Sequence, residues 1–325
     1  MIRRVVNAAV RRAQELLPSA RPAILMYHRI ADETFDPWGL AVSPPHFAEQ
    51  LEWIAHNRTI FPLTEFATLH QQGRLPRNAI ALTFDDGYAC NVEVAVPLLE
   101  RLGISATIFL PADLIERGRE FWWDELEMIV LGHRGETLRL NGQDINVGDR
   151  QPDDHDWPPA QPPRTPRQIA YHQLWSLIYE RTPAELDQGM EQLREQAQAP
   201  GRPRKSHRPM NRDELAAIRS GLVDFGSHSL SHASLPLLGP REKAREIRES
   251  LARCAELTGT EPRSFAYPYG DFDLESARIV AQAGFQCACR ADGWFVGRKT
   301  SRFALPRIFV GNWDSARLAQ QLGRP

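Results

Sequence analysis

Short apolar runs alternate with amphipathic stretches along most of the chain. The apolar runs, each predicted to form a strand, lie at 23–27, 80–84, 105–110, 222–225, 265–267, 285–289 and 305–310. The amphipathic stretches, each predicted to form a helix, lie at roughly 44–57, 64–72, 91–102, 212–220, 240–258 and 272–284. Such alternation is typical of a parallel sheet, and about seven units favour a barrel. We therefore predict an α/β fold, a distorted (β/α) barrel of about seven units, with its chemistry at the carboxyl ends of the strands.

The stretch 112–210 interrupts this alternation. It opens with an aromatic and acidic run at 121–125, and the polar segment 151–168 contains six prolines. A helix-like segment follows at about 167–198. Because a proline-dense polar run cannot form a core strand or a helix interior, we expect 112–210 to be a largely helical insertion with a mobile loop on the rim of the barrel. The barrel itself is predicted to span 22–325.

The N-terminal segment 1–21 carries arginines interspersed with apolar residues, a pattern that predicts a short basic amphipathic helix. Two interpretations stay open: packing against the protein or a partner, and peripheral contact of 1–17 with a membrane. Arg11 and Arg12 interrupt what would be the apolar part of a secretory signal, and no apolar run is long enough to span a bilayer. We therefore expect a cytoplasmic location, at the inner membrane surface in the second interpretation.

Charge and cysteine content exclude several classes of protein. The 325 residues contain 39 Lys+Arg and 41 Asp+Glu, so the net charge of −2 gives no overall field to hold nucleic acid. Four cysteines are too few for a disulfide framework, and their spacing matches no zinc knuckle. Cys287 and Cys289 are predicted to be buried in a core strand. The nucleotide-binding and protease motifs GxGxxG, HExxH and GxSxG are absent from the sequence.

Two motifs at predicted strand ends carry metal-binding residue types. In TFDDGY, residues 83–88, adjacent carboxylates point in different directions, so one can bind a metal while the other serves as a base. The alternative is an ordinary Asp-Gly turn. In HSLSH, residues 228–232, two imidazoles lie four residues apart, although such a pair alone is more often structural. With Asp86, they complete a two-histidine, one-carboxylate set with open positions, as hydrolytic metal sites have.

Two other strand ends carry weaker signals. The run FAYPYG at 265–270 is typical of a strand that ends in a proline turn, and LMYHR at 25–29 places His28 at the end of the first strand. Taken alone, neither indicates more than a turn or a polar strand cap.

Together and in this order, the motifs resemble those of the polysaccharide deacetylases of carbohydrate esterase family 4. That group includes the nodulation chitooligosaccharide deacetylase and the bacterial peptidoglycan and poly-N-acetylglucosamine deacetylases. The resemblance covers about 22–112 and 210–312. It implies a hydrolase that removes N-acetyl groups from an amino-sugar polysaccharide, oligosaccharide or glycan precursor, so the expected partner is an N-acetylated glycan.

The resemblance also implies a role for each motif residue. Asp86, His228 and His232 would bind one divalent metal, usually Zn²⁺, and Asp85 would be the general base that takes a proton from the attacking water. The backbone N–H of Tyr269, in the Pro268–Gly270 turn, would help to hold the oxyanion. Aromatic side chains near the motifs are candidates for stacking on sugar rings, or equally for packing: Trp38, Tyr88, Tyr267 and Trp294.

One departure from the family pattern concerns the arginine beside the base. The family's third motif usually has an arginine two residues before the proline, where this chain has Ala266. We predict that Arg307 orients Asp85 instead, with Arg29 and Arg290 as alternatives.

A second departure concerns the general acid. The family usually supplies a histidine near the C-terminus, but no histidine follows His232 in this sequence. The Tyr27-His28 pair resembles the N-terminal version of that site in the poly-N-acetylglucosamine deacetylase branch. His28 is therefore predicted to be the general acid.

Other functions stay open at this point. An O-acetyl esterase or a non-sugar amidase would use the same residues, and a non-catalytic glycan-binding protein could retain the fold. The presence of Asp85 beside the complete set of ligands argues against the binding protein.

Overall fold

The computed structural model describes residues 20–157, 161–197 and 202–323, so nearly all of the predicted N-terminal helix lies outside the described residues. The strands are β1 (Ala23–Tyr27), β2 (Arg29–Ile30), β3 (Ala41–Val42), β4 (Thr59–Ile60), β5 (Ala79–Phe84), β6 (Ala106–Leu110), β7 (Thr137–Leu140), β8 (Gln143–Asn146), β9 (Val223–Ser227), β10 (Ser264–Ala266), β11 (Cys287–Arg290), β12 (Leu305–Pro306) and β13 (Ile308–Phe309). The α-helices are α1 (Pro44–Asn57), α2 (Leu63–Gln71), α3 (Val96–Leu102), α4 (Trp122–Gly132), α5 (Pro166–Tyr179), α6 (Pro183–Ala197), α7 (Arg212–Ala217), α8 (Pro240–Thr258), α9 (Leu274–Gln282) and α10 (Ser315–Leu322). None of these helices is both long and apolar enough to cross a membrane.

The predicted barrel is confirmed. Parallel strands follow one another in the order β12-β11-β10-β9-β6-β5-β1-β13, and each of the seven predicted runs contributes to this sheet. The two ends of the sheet belong to one chain segment, 305–309. Its first part pairs with β11 and its second part pairs with β1, so this segment nearly closes the sheet into a barrel.

The strands are apolar on both faces, as parallel strands covered by helices usually are. Alternate residues of one strand therefore pack in different clusters: Ile24 joins Phe109 and Ala266, whereas Leu25 packs with residues of α1 and α3. Cys287 and Cys289 are fully buried in β11, which confirms the prediction for the two thiols.

Within its described residues, the region 112–210 contains three α-helices and a hairpin that pack around a second apolar cluster. The single helix predicted for about 167–198 is wrong. The first helix ends at Tyr179, and a second helix begins at Pro183. Because proline lacks an N–H, it is tolerated in the first turn of a helix but not in its interior. The β7–β8 hairpin was not predicted either. Its signal was the Asn141-Gly142 pair, both with positive φ, at the turn between two short alternating runs.

Candidate functional site

The motif residues meet at the carboxyl ends of the barrel strands. Asp85 and Asp86 directly follow β5, and His28 directly follows β1. His228 follows β9, and the Pro268–Gly270 turn comes shortly after β10. Since parallel strands end at one edge of the sheet, side chains that are far apart in the sequence share one cavity.

Three side chains form a group that could hold a metal ion. Their ligand atoms all lie within 4.8 Å of one another: Asp86, His228 and His232. The Asp86 Oδ1 atom lies 3.3 Å from His232 Nε2 and 3.7 Å from His228 Nε2. His228 Nδ1 is 2.8 Å from the carbonyl oxygen of Ala266, so its N–H donates there and Nε2 stays free as a ligand.

The electrostatics of this group fit a cation. Burial lowers the pKa of His228 to about 4 and that of His232 to about 3, so both imidazoles are neutral at neutral pH, the form that binds metals. Burial also raises the pKa of Asp86, and its Oδ1 has no hydrogen-bond partner among the described residues. A buried carboxylate oxygen without a donor is costly, and a bound cation would remove that cost.

The ligand loops have strained backbones. Among the described residues, six non-glycine residues have positive φ, and four of them lie here: Asp86, Ser229, His232 and Tyr269. Gly87 also has positive φ, and a Cβ on it would lie 2.6 Å from a Leu110 methyl carbon. Strain of this kind persists only where the surrounding structure holds it, and it clusters at functional sites.

Glu246 of α8 holds the loop that carries the two histidines. Its Oε2 accepts hydrogen bonds from the backbone N–H groups of Leu230 (3.0 Å) and Ser231 (2.9 Å), and its Oε1 accepts one from the Ser231 hydroxyl (2.7 Å). Sequence reasoning missed this residue, because nothing in an amphipathic helix marks one buried glutamate as the support of a loop.

Asp85 forms a bidentate ion pair with Arg307. The two guanidinium nitrogens donate to the two carboxylate oxygens at 2.5 and 2.6 Å, and Arg307 is fully buried. Burial alone would raise the pKa of Asp85, but the charges of Arg307 and His228 and the hydrogen bonds from Arg307 outweigh it and lower the pKa to about 2. The alternatives lie elsewhere: Arg29 pairs with Asp36, and Arg290 pairs with Asp292.

His28 lines the same cavity as the ligand group, beside Phe309 at 5.8 Å between ring centroids. Its Nδ1 is buried and finds no hydrogen-bond partner within the described part of the chain. Burial lowers the pKa of His28, although the carboxylates of Asp86 and Asp85 oppose this effect. The ring is therefore free to bind a group that enters the cavity.

The cavity has a volume of about 300 Å³ and combines the polar group with aromatic walls. Its lining residues are Met26, His28, Trp38, Leu40, Asp85, Asp86, Trp123, Trp175, His228, His232, Tyr269, Gly270, Ala291 and Phe309. Trp123 and Trp175 were not predicted, although the dense aromatic residues of α4 and α5 were a usable signal. Both come from the 112–210 region, which therefore reaches into the site.

The other predicted contact residues differ in their placement. Trp294 is 64% exposed and is not among the residues that line the cavity, so its role as a substrate contact stays a prediction. Tyr88 is buried and does not line the cavity; its hydroxyl donates to Asp124 and accepts from Trp123 Nε1. Pro268 is buried in its turn, while the ring of Tyr269 lines the cavity.

A second cluster of metal-binding residue types is Asp124, Glu127 and His207. Arginine side chains already balance the charge of its two carboxylates: Arg204 donates to Glu127 at 3.0 Å, and Arg29 lies 3.8 Å from Asp124. This arrangement is that of a buried ion network rather than of a metal site.

Comparisons with known proteins agree with this fold. Residues 72–136 and 181–288, together more than half of the chain, match the profile of the polysaccharide deacetylase family. The fold resembles that of the deacetylase PplD of Streptococcus pyogenes, with a TM-score of 0.61 and 16% identity over 94% of this chain and 99% of that one. It also resembles IcaB of Ammonifex degensii, with a TM-score of 0.58 and 18% identity over 94% of this chain and 99% of that one.

Among curated proteins, YxkH of Bacillus subtilis (strain 168), whose name places it with the polysaccharide deacetylases, is 28% identical over 131 residues. This match spans 38% of the present chain and 46% of the length of YxkH. The profile match leaves out the segment 137–180, which contains Trp175.

Proposed function

The chain belongs to the polysaccharide deacetylase family, and from this premise we propose that it is a metal-dependent hydrolase that removes N-acetyl groups from an amino-sugar glycan or glycan precursor. The observation that carries the proposal is the convergence of Asp86, His228 and His232 beside an ionised Asp85. Neutral imidazoles and a carboxylate without a donor are the residue types that bind Zn²⁺, which we propose as the resident ion. A divalent ion held there lowers the pKa of water and polarises the acetyl carbonyl.

Asp85 is the proposed general base. Because Arg307 holds its pKa near 2, this carboxylate is ionised at neutral pH. Arg307 fixes the direction of the carboxylate through its two hydrogen bonds.

His28 is the proposed general acid. It lines the cavity of the base and the ligand group, and its Nδ1 has no competing partner among the described residues. In this role the protonated ring would donate a proton to the leaving amine of the sugar as the C–N bond breaks. The backbone N–H of Tyr269 is the proposed donor to the oxyanion, and the left-handed conformation of this residue (φ 59°) orients its peptide groups.

The experiment that tests the proposal begins with bound metal. We expect wild-type protein to bind about one zinc ion per chain by elemental analysis, His228→Ala to lose it, and the exposed control His56→Ala to keep it. Zinc-loaded wild type should then release acetate from N-acetylchitooligosaccharides. Release from an O-acetylated glycan alone would replace the deacetylase by an esterase. Failure of reconstituted wild type to bind any ion would overturn the hydrolase and favour a glycan-binding protein.

A further inference from the structure

The insertion helix α5 carries aromatic side chains at every fourth residue. Tyr171, Trp175 and Tyr179 follow one another at this spacing, so their rings lie along one face of the helix. Trp175 and Tyr179 stack with their ring centroids 4.8 Å apart and an angle of 11° between the planes. Trp38 links Tyr171 to this pair, since its ring centroid lies 6.2 Å from that of Tyr171 and 5.2 Å from that of Trp175, so the three residues of α5 form an aromatic ladder together with Trp38.

Hydrogen bonds hold both ends of this ladder. At one end, the Tyr171 hydroxyl accepts from Trp38 Nε1 at 2.5 Å. At the other end, the Tyr179 hydroxyl donates to Asp271, and its ring packs edge-on against Tyr269 at 4.9 Å. The ladder thus bridges the β2–β3 loop and the loop after the third motif.

Between these anchors, Trp175 is half-buried and faces the cavity of the ligand group. Its ring centroid lies 5.2 Å from that of Trp38, which lines the same cavity. Neither residue belongs to the segments that match the family profile, 72–136 and 181–288. The two indoles form one wall of the cavity, and no catalytic step requires them.

We propose that Trp38 and Trp175 form the sugar-binding wall of the site, and that the insertion thereby determines which acetylated molecules are hydrolysed. This inference rests on the proposed function. A pyranose ring presents C–H groups on its faces, and rigid indoles cover such a surface at little cost in conformational entropy. The wall therefore recognises the ring that carries the acetyl group, whereas Asp85 and the ligand group act on the acetyl group itself.

Two substrates separate recognition from chemistry. An N-acetylchitooligosaccharide uses both parts of the site, whereas vinyl acetate carries an acetyl group without a ring. For Trp175→Ala, we expect a rise of at least about tenfold in KM for the oligosaccharide with kcat nearly unchanged, since truncating a contact tryptophan is among the most damaging changes at a binding surface. Hydrolysis of vinyl acetate should fall by much less than hydrolysis of the oligosaccharide, and Trp175→Phe should recover most of the loss.

Ile169→Ala is the matched control, because Ile169 lies on the same helix and is 51% exposed. It should behave as wild type toward both substrates. An unchanged KM for the oligosaccharide in Trp175→Ala overturns the proposal. Equal losses on both substrates overturn it as well, because Trp175 would then only support the fold.

The failure of the proposed function would be distinguishable from the failure of this inference. If zinc-loaded wild type hydrolyses neither substrate, the hydrolase proposal fails. Calorimetric titration with the same oligosaccharide then tests the wall directly. Weaker binding by Trp175→Ala than by Ile169→Ala supports it, and equal binding overturns it.

Discussion

Replacing Arg307 tests how the site and the barrel depend on one ion pair. Arg307→Gln removes the guanidinium and leaves Asp85 as a buried carboxylate without its counter-charge. Asp85→Asn removes the other charge, and the double variant removes both. The exposed residue Arg317 provides a control substitution, Arg317→Gln.

The size of the effect follows from the structure. The pKa of Asp85 falls from 3.8 to about 2, and a shift of this size stabilises the folded state by about 2 kcal/mol above pH 4. Breaking a buried pair by removing one partner costs about 3–5 kcal/mol. We therefore expect Arg307→Gln to lower the free energy of unfolding by about 2–5 kcal/mol at pH 7.

The pH dependence that Asp85 contributes to folding stability should also change sign in Arg307→Gln. In wild type, the stability from Asp85 is present above pH 4 and is lost as the pH falls from about 4 to about 2. Without Arg307, burial dominates and raises the pKa of Asp85 above its usual value, so the contribution of Asp85 to stability should grow rather than shrink as the pH falls.

Urea unfolding of chelator-treated protein provides the measurement, for wild type, both single variants and the double variant. The double variant should lose about 2 kcal/mol less stability than the sum of the losses in the two single variants, because the two residues are in direct contact. A loss in Arg307→Gln within about 0.5 kcal/mol of the Arg317→Gln control would refute the reasoning, as would additive single variants.

Three further predictions concern the general acid, the ligand loop and a buried histidine. His28→Ala should keep the bound metal and lower kcat roughly 10²-fold, as acetate-release kinetics beside metal analysis would measure; unchanged turnover would exclude the role. Glu246→Gln should weaken zinc binding about 10- to 100-fold in competition with a chelating dye, because Gln cannot accept all three loop hydrogen bonds, whereas the exposed Glu249→Gln should bind zinc as wild type does. Burial and two nearby arginines lower the pKa of His207 from 6.5 to about 2. Below pH 6.5 the unfolded chain therefore binds a proton at this residue that the folded chain does not, so His207 alone should lower the stability by up to about 1.4 kcal/mol per pH unit, in addition to the losses from His228 and His232. His207→Gln should remove that part of the slope in urea unfolding and the exposed His56→Gln should retain it; equal slopes would contradict the assignment.

Local patterns predicted most of the barrel. The strands are buried on both faces, so each one leaves an apolar run that is visible in the sequence, and helix periodicity marks what lies between them. The insertion was harder, because only three residues separate the helix that ends at Tyr179 from the one that begins at Pro183, and the two stretches together resemble one continuous helix. Its hairpin lies in two runs of only four residues each, too short for alternation alone to identify.

The candidate site divides in the same way. Asp85, Asp86, His228 and His232 stand in compact motifs, whereas Trp175 and Glu246 gain their significance only from contacts across the fold. Trp175 contacts Trp38, which is 137 positions away in the sequence, and no pattern within α5 reveals that contact. Glu246 differs from the exposed acids of α8 only in being buried against the loop of the histidines.

Arg307 was anticipated as a long-range contact because the family resemblance implies an arginine beside the base and this chain has Ala266 at the usual position. Arg307 lies between β12 and β13, where the segment 305–309 changes from pairing with β11 to pairing with β1. A side chain at that junction points into the closed barrel, where its guanidinium also contacts Thr83 Oγ1 at 3.2 Å. The interaction that orients the proposed base is therefore also one that holds the closing segment. It follows that Arg307→Gln should lower stability and turnover together, whereas His28→Ala, which breaks no hydrogen bond of Nδ1 among the described residues, should lower turnover alone.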